Sequence, residues 1–159
     1  MDKIDAIDAQ ILHLLQTRGR IKRTEIADAV GLSIPSVSDR MRKLEERGVV
    51  VGYHARVDAR RLGRDITAFV RIRSTGSDHY PAFIAAVTAM DEVLELHSVT
   101  GGGSHLVKVR VANTAALEAL LGRFQALDGV RGTETSLVLS TLKETAYLAA
   151  EPMALVPTD

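Results

Sequence analysis

Ile26–Tyr53 reads IADAVGLSIPSVSDRMRKLEERGVVVGY, and its punctuation decides how the first third of the chain folds. Ile26, Ala27 and Val30 fall on one face of a short helix that Thr24 can cap and Gly31 can end, since glycine enters the left-handed region freely. Ser33 can cap a second helix, and Pro35 sits in its first turn, where a missing N–H costs nothing. Val37, Met41 and Leu44 supply its buried stripe, and Gly48 stops it. Two short helices joined through Ala27, Gly31 and Leu32 have the spacing of a helix-turn-helix, a spacing that an ordinary corner between packed helices also satisfies.

The opposite face of the second helix favours DNA. At about 100° per residue, Ser36, Asp39, Arg42 and Lys43 point away from the apolar stripe, with Arg40 and Arg47 on the flank. Short hydroxyls allow close approach to a major groove, Arg can fork onto guanine and Lys can meet phosphate. Asp39 fits only if it orients a neighbouring Arg or accepts from a cytosine amino group. The candidate DNA-contacting set is Arg23, Ser33, Pro35, Ser36, Ser38, Asp39, Arg40, Arg42 and Lys43.

Upstream, IDAIDAQILHLLQ places Ile4, Ile7, Ile11, Leu14 and Leu15 on one helical face, with Asp5 as cap and Asp8 in the first turn. TRGRIKR then gathers Arg18, Arg20, Lys22 and Arg23. The net charge of zero hides a split: residues 1–61 hold 12 Lys/Arg against 9 Asp/Glu, and the remainder 8 against 11, so the first part is the one suited to a polyanion.

Downstream, Val49–Val57 is strand-like, and Asp58 caps a single turn ending at Gly63. The rest alternates: strand 66–74, helix 78–90, strands 93–99 and 105–111, helix 114–127, strand 133–140. This βαββαβ order predicts a ferredoxin-like domain with both helices on one sheet face. Phe69, Leu106 and Leu137 are expected on the other face, favouring self-association. The predicted fold is α+β: a helix-turn-helix (winged-helix-like) domain over 1–50, a β-strand tether over 51–63, the ferredoxin-like domain over 64–145 and a tail over 146–159.

Composition narrows the chemistry. With 159 residues, 46% apolar and 25% charged, the chain can bury a core, and 4% aromatics leaves that core to aliphatic packing. Cysteine is absent, which removes disulfides, thiolate nucleophiles and Cys-based zinc sites and fits a reducing cytoplasm. The acidic start MDKIDAIDAQ has no signal-peptide order, and the longest apolar stretch, Ala82–Met90, is too short to span a bilayer. His13, His54, His79, His97 and His105 show no metal-binding spacing, and no serine sits in GxSxG, so neither a metal, a cofactor nor an enzymatic activity is expected.

SVTGGGSH (Ser98–His105) sets three consecutive glycines between two runs rich in β-branched and aliphatic residues. A phosphate loop or dinucleotide fingerprint leads from a strand into a helix, whereas this stretch leads into the strand LVKVRV. It is therefore read as the hairpin turn between the two central strands.

Taken in order, IDAIDAQIL, VGLS followed by RMRKLEERGVVVGY, Val99–Gly101 ahead of LVKVRV, and GVRGTETSLVLS together resemble the Lrp/AsnC family of bacterial and archaeal transcriptional regulators. The resemblance covers nearly the whole chain. It implies DNA binding by the N-terminal domain, dimers formed by pairing sheets, further assembly to octamers, and a small effector, often an amino acid, held between dimers. By position it implies effector contacts at Val99, Thr100, Gly101, Gly102, Gly103, Ser104, His105, Thr133, Thr135 and Ser136.

One departure bears on the ligand. Where the family has glycine, acidic, aromatic, acidic, this chain has Gly101, Gly102, Gly103 and Ser104. An ammonium group at this loop would lack a carboxylate, so the expected effector is less cationic than a free amino acid, or bulky enough to fill the room left at Gly103. The leading reading is an effector-modulated, sequence-specific regulator of duplex DNA. The other readings are a DNA-architectural protein without effector control and a tetrapyrrole decarboxylase-like enzyme on the same layout.

Overall fold

The computed structural model describes residues 4–150, which form two units. One joins the N-terminal stretch through Arg56 to the chain from Lys143 onward; the other is Val57–Leu142. The divisions thus fall after Arg56 and Leu142, inside the stretches that sequence assigns to the tether and to the second domain. Of the tail expected over 146–159, residues 151–159 lie outside the described residues.

The helical unit contains α1 (Ala6–Thr17), α2 (Arg23–Val30) and α3 (Ile34–Glu46). Asp5 caps α1 by accepting the Asp8 N–H at 2.7 Å, and Ser33 caps α3 by accepting the Ser36 N–H at 3.3 Å. Thr24 does not cap α2. The cap lies two residues earlier, at Lys22, where Glu25 reaches back to accept the Lys22 N–H at 3.0 Å, using the carboxylate half of a capping box without a hydroxyl partner. Gly31 closes α2 at φ 68°. Ile11, Ile26, Val37 and Leu44 meet in an aliphatic core from which phenylalanine is absent.

Val49–Val57, expected to be strand-like, has no ladder partner within the described residues. Val51, 91% exposed, Tyr53 and Val57 face solvent, as does every other residue between them. The strand pattern is there; the backbone pairing that makes a strand is not. Tyr53 is nevertheless tied to the end of α3, its hydroxyl donating to Glu45 at 2.8 Å.

The second unit has the predicted βαββαβ order: β1 (Ile66–Ser74), α4 (Tyr80–Thr88), β2 (Val93–Ser98), β3 (His105–Val111), α5 (Thr114–Gln125) and β4 (Val130–Leu137). All pairs are antiparallel and the sheet order is β2-β3-β1-β4. Ala68, Val70 and Ile72 of β1 with Val107, Val109 and Val111 of β3 pack against Phe83 and Val87 of α4 and Leu117, Leu120 and Phe124 of α5. The predicted α+β class and ferredoxin-like arrangement describe this unit.

Two details shift. β4 begins at Val130, three residues ahead of the expected start at Thr133, because Gly129 at φ 80° turns the chain straight out of Asp128. Leu137 pairs with Ala68, so it belongs to the helix-covered face and not, as expected, to the face carrying Phe69 and Leu106. That second face also carries Arg71 opposite Glu134, and Glu95 bonded to Lys108 at 3.0 Å.

Candidate functional site

On α3 the apolar stripe is buried and Ser36, Arg42 and Lys43 are exposed. Ser33 and Ser36 share a hydroxyl contact of 2.8 Å at the start of the helix. Asp39 uses both oxygens, one on Arg42 at 2.5 Å and one on Lys43 at 2.8 Å, and these two cations hold its carboxyl below the usual range. Glu46 takes the other edge of Arg42 at 2.7 Å. Asp39 therefore acts as an orienting group: it fixes two long side chains one turn further along, pointing off the same face. Such exposed pairs contribute little to stability, and a phosphate can replace either carboxylate.

Arg40 behaves differently. Sequence puts it on the flank of the reading face, but its guanidinium turns to α1 and meets Asp5 and Asp8, each at 2.7 Å. Asp8 is only 7% exposed, so this contact joins α1 to α3 at a nearly buried carboxylate. Pro35 and Ser38 lie in the first turns of α3, and Arg23 opens α2. Arg20, Lys22 and Arg23 make no ion pair among the described residues, whereas Arg18 is held by Glu25. Arg20 and Lys22 are outside the candidate set; the clustering of cations in TRGRIKR is the signal that singles them out.

The glycine stretch is the β2–β3 hairpin. Val99 N–H donates to Ser104 O at 3.1 Å, and Gly101 takes φ 98° at the turn. The far end of the turn is stitched to β1: Ser104 N–H donates to Ile72 O at 2.9 Å, the Ser104 hydroxyl donates to the same oxygen at 3.2 Å, and Ser74 Oγ lies 2.8 Å from Ser104 Oγ. Gly103 has no room for a side chain of its own. A Cβ there would lie 2.6 Å from Arg71 Cγ and 2.8 Å from Ile72 O, so glycine is what lets the turn cross β1.

His105, 2% exposed, is buried beneath this turn. Its Nδ1 lies 3.1 Å from Ser104 Oγ, and its ring is flanked by Tyr80 and Phe83 at centroid distances of 4.6 and 4.9 Å. Burial pushes its pKa down from 6.5, so the neutral ring is the folded form. A depressed imidazole adds stability above its unfolded value and loses it as pH falls through the folded one. The sheet unit is accordingly expected to destabilise as pH drops below 6.5, by up to about 1.4 kcal/mol per unit, before carboxylates titrate. Chemical denaturation at pH 7 and pH 5.5 checks this; His105→Phe should flatten the response, and an equal response in both proteins refutes the assignment.

The remaining effector candidates divide. Thr133 shares a cross-strand row with Ile72 and His105, and its hydroxyl accepts from Gln125 Nε2 at 3.0 Å. Thr135 is one row further along on the same face, while Ser136 pairs with Phe69 on the other face. The structure thus gathers Val99–His105 with Thr133, and sets Thr135 and Ser136 progressively apart. Among the described residues no cluster of three or more His, Asp or Glu could hold a metal ion, and no helix is long and apolar enough to cross a membrane.

Comparison with known proteins fits both units. Winged helix-turn-helix DNA-binding matches residues 4–51, and the Lrp/AsnC ligand binding domain matches residues 67–148. The chain is 36% identical to the leucine-responsive regulatory protein of Haemophilus influenzae over 148 residues, covering 91% of this chain and 89% of that one. It is likewise 36% identical to the HTH-type transcriptional regulator LrpA of Mycobacterium tuberculosis, covering 88% and 93%. Among solved structures, the M. tuberculosis feast or famine regulatory protein complexed with L-methionine superimposes with a TM-score of 0.83 at 35% identity, covering 92% and 99%. A transcriptional regulator–L-Met complex from Neisseria meningitidis gives 0.86 at 29% identity, covering 91% and 95%. With the helix-turn-helix, the βαββαβ sheet and these matches along almost the whole length, the chain belongs to the Lrp/AsnC family and is a transcriptional regulator with a DNA-binding and a ligand-binding domain.

Proposed function

We propose that the protein is a cytoplasmic, sequence-specific regulator that inserts α3 into the major groove of duplex DNA, acts as a two-fold dimer or higher oligomer up to an octamer, and responds to an amino acid or a related metabolite. The observation that carries the DNA reading is the exposed end of α3, where Asp39 orients Arg42 and Lys43 off the face opposite the buried stripe. Arg20, Lys22 and Arg23, which make no ion pair among the described residues, add positive charge to the same unit, suited to flanking phosphates. The matched domains support regulation and lend no support to catalysis.

Mobility shift on the protein's own upstream region tests this. Arg42→Ala is expected to weaken specific binding by about 1–3 kcal/mol and to relax discrimination at one base position. Unchanged affinity for every duplex would remove α3 from the groove, and an equal loss on all sequences would make Arg42 a phosphate contact instead.

Dimerisation follows from two features in each copy. Phe69 and Leu106 sit on the sheet face turned away from the helices, and the 51–57 segment, without a ladder partner among the described residues, carries exposed apolar side chains at Val51, Tyr53 and Val57. A second copy of the chain supplies both with partners.

For the effector, the L-methionine complexes of the two relatives make methionine the first ligand to try. Here the turn offers no carboxylate, the Ser104 hydroxyl is committed to Ile72 O, and the stem of Arg71 lies against Gly103. The turn is therefore suited to the carboxylate end of a ligand or to one of low positive charge. Isothermal titration against the proteinogenic amino acids reads this directly. Tight binding of an ordinary zwitterion with its ammonium at Gly102–Ser104 defeats the charge argument.

A further inference from the structure

The helical unit is built from both ends of the chain. After β4, the Val138 N–H still donates to Thr67 O at 2.9 Å, and residues 139–142 then lead back to a segment, Lys143–Ala150, that belongs with α1–α3. Its attachment is specific. Gln16 on α1 forms a reciprocal pair with the Leu148 backbone: its Nε2 donates to Leu148 O and its Oε1 accepts the Leu148 N–H, both at 2.8 Å. One turn earlier on the same helix, His13 Nδ1 lies 3.0 Å from the Tyr147 hydroxyl, with the rings edge-to-face at 5.8 Å. Tyr147, Ala149 and Ala150 wall a groove of about 490 Å³ floored by Ala6, Ala9 and Val30.

These contacts continue across α1. The helix whose C-terminal half is gripped by Tyr147 and Leu148 offers Asp5 and Asp8 from its N-terminal end to Arg40 of α3. We propose that Lys143–Ala150 is a regulatory strap: its grip on α1 holds α3 in the DNA-binding arrangement, and because it leaves the end of β4, the ligand-binding sheet can tighten or release that grip. The proposal rests on the regulator reading above and adds the element that carries the signal. It invokes a discrete docked state with hydrogen bonds to lose, which distinguishes it from mere proximity along a path.

The test uses the full chain and needs no ligand. In Gln16→Ala/Tyr147→Ala, hydrogen exchange of α1 amides should speed up about tenfold while β1 and β3 keep their protection, and affinity for the operator duplex should fall about fivefold or more. Either readout unmoved overturns the strap. If that variant fails to fold, the converse is available because the chain has no native cysteine. His13→Cys/Tyr147→Cys joined by a short bis-maleimide should slow α1 exchange and tighten operator binding, and again either one unmoved overturns it. Calorimetry with L-methionine on the unaltered protein separates the two ideas. Absence of binding removes methionine as effector while leaving the exchange and operator results to judge the strap.

Discussion

Phe124→Ala is expected to unfold the sheet unit some 15 °C or more below the unaltered protein while the helical unit keeps its own transition. Phe124 is fully buried, the largest such side chain, and packs in the cluster formed by β1, β3, α4 and α5. Truncating it opens a cavity that the surrounding valines are too short to fill, at about 3–5 kcal/mol. None of the buried residues of this cluster is shared with the Ile11–Ile26–Val37–Leu44 cluster, so the loss should not spread. Scanning calorimetry with far-ultraviolet circular dichroism should resolve two transitions where the helical signal outlasts the strand signal. A single transition shifted as a whole would show that the two cores unfold together.

Arg40→Ala should destabilise the helical unit strongly, and weaken DNA binding only through that, for a reason unlike that of Arg42→Ala. Removing the guanidinium leaves Asp8, 7% exposed, with its charge uncompensated, and frees Asp5 from its second role beside its capping bond. The cost is about 1–3 kcal/mol for the stranded acceptor. In a unit of this size that lowers its melting temperature by roughly 10 °C. Operator affinity should drop with the folded fraction, but the slope of affinity against salt concentration should stay constant, whereas loss of a phosphate contact reduces it by about one. Asp8→Asn, which removes the charge that Arg40 answers, should recover much of the stability of the Arg40→Ala protein. A reduced salt slope with an unchanged melting temperature would return Arg40 to the DNA face.

These two cases show which parts of the molecule can be read from sequence and which cannot. α1, α3 and α5 were legible because a helix writes its buried face at a fixed local spacing, as Val37–Met41–Leu44 does, and because Asp5, Ser33 and the glycines mark the ends. The ferredoxin-like arrangement followed from the βαββαβ alternation. What escaped depends on residues far apart in the chain. Leu137 looks like any other outward strand residue until its pairing with Ala68 is known, and Gly103 looks like open space until Arg71 and Ile72 are found beside it. Arg40 sits on the correct helix at nearly the correct angle, yet its direction is set by two carboxylates more than thirty positions away. The 51–57 segment carries the strand pattern without the strand, since a ladder needs a second backbone and the described residues supply none.

The docking of Leu148 on Gln16 also has a consequence for biosynthesis. A ribosome makes α1 well before residues 143–150, so the helical unit is begun before the sheet unit and completed only after the whole sheet unit has been made. A nascent chain stalled in β4, or one cut by a protease after Leu142, carries every residue of α3 yet lacks the closing segment. Such fragments should be recognisable in cells as helical but easily degraded, which gives quality control a means of telling finished molecules from unfinished ones.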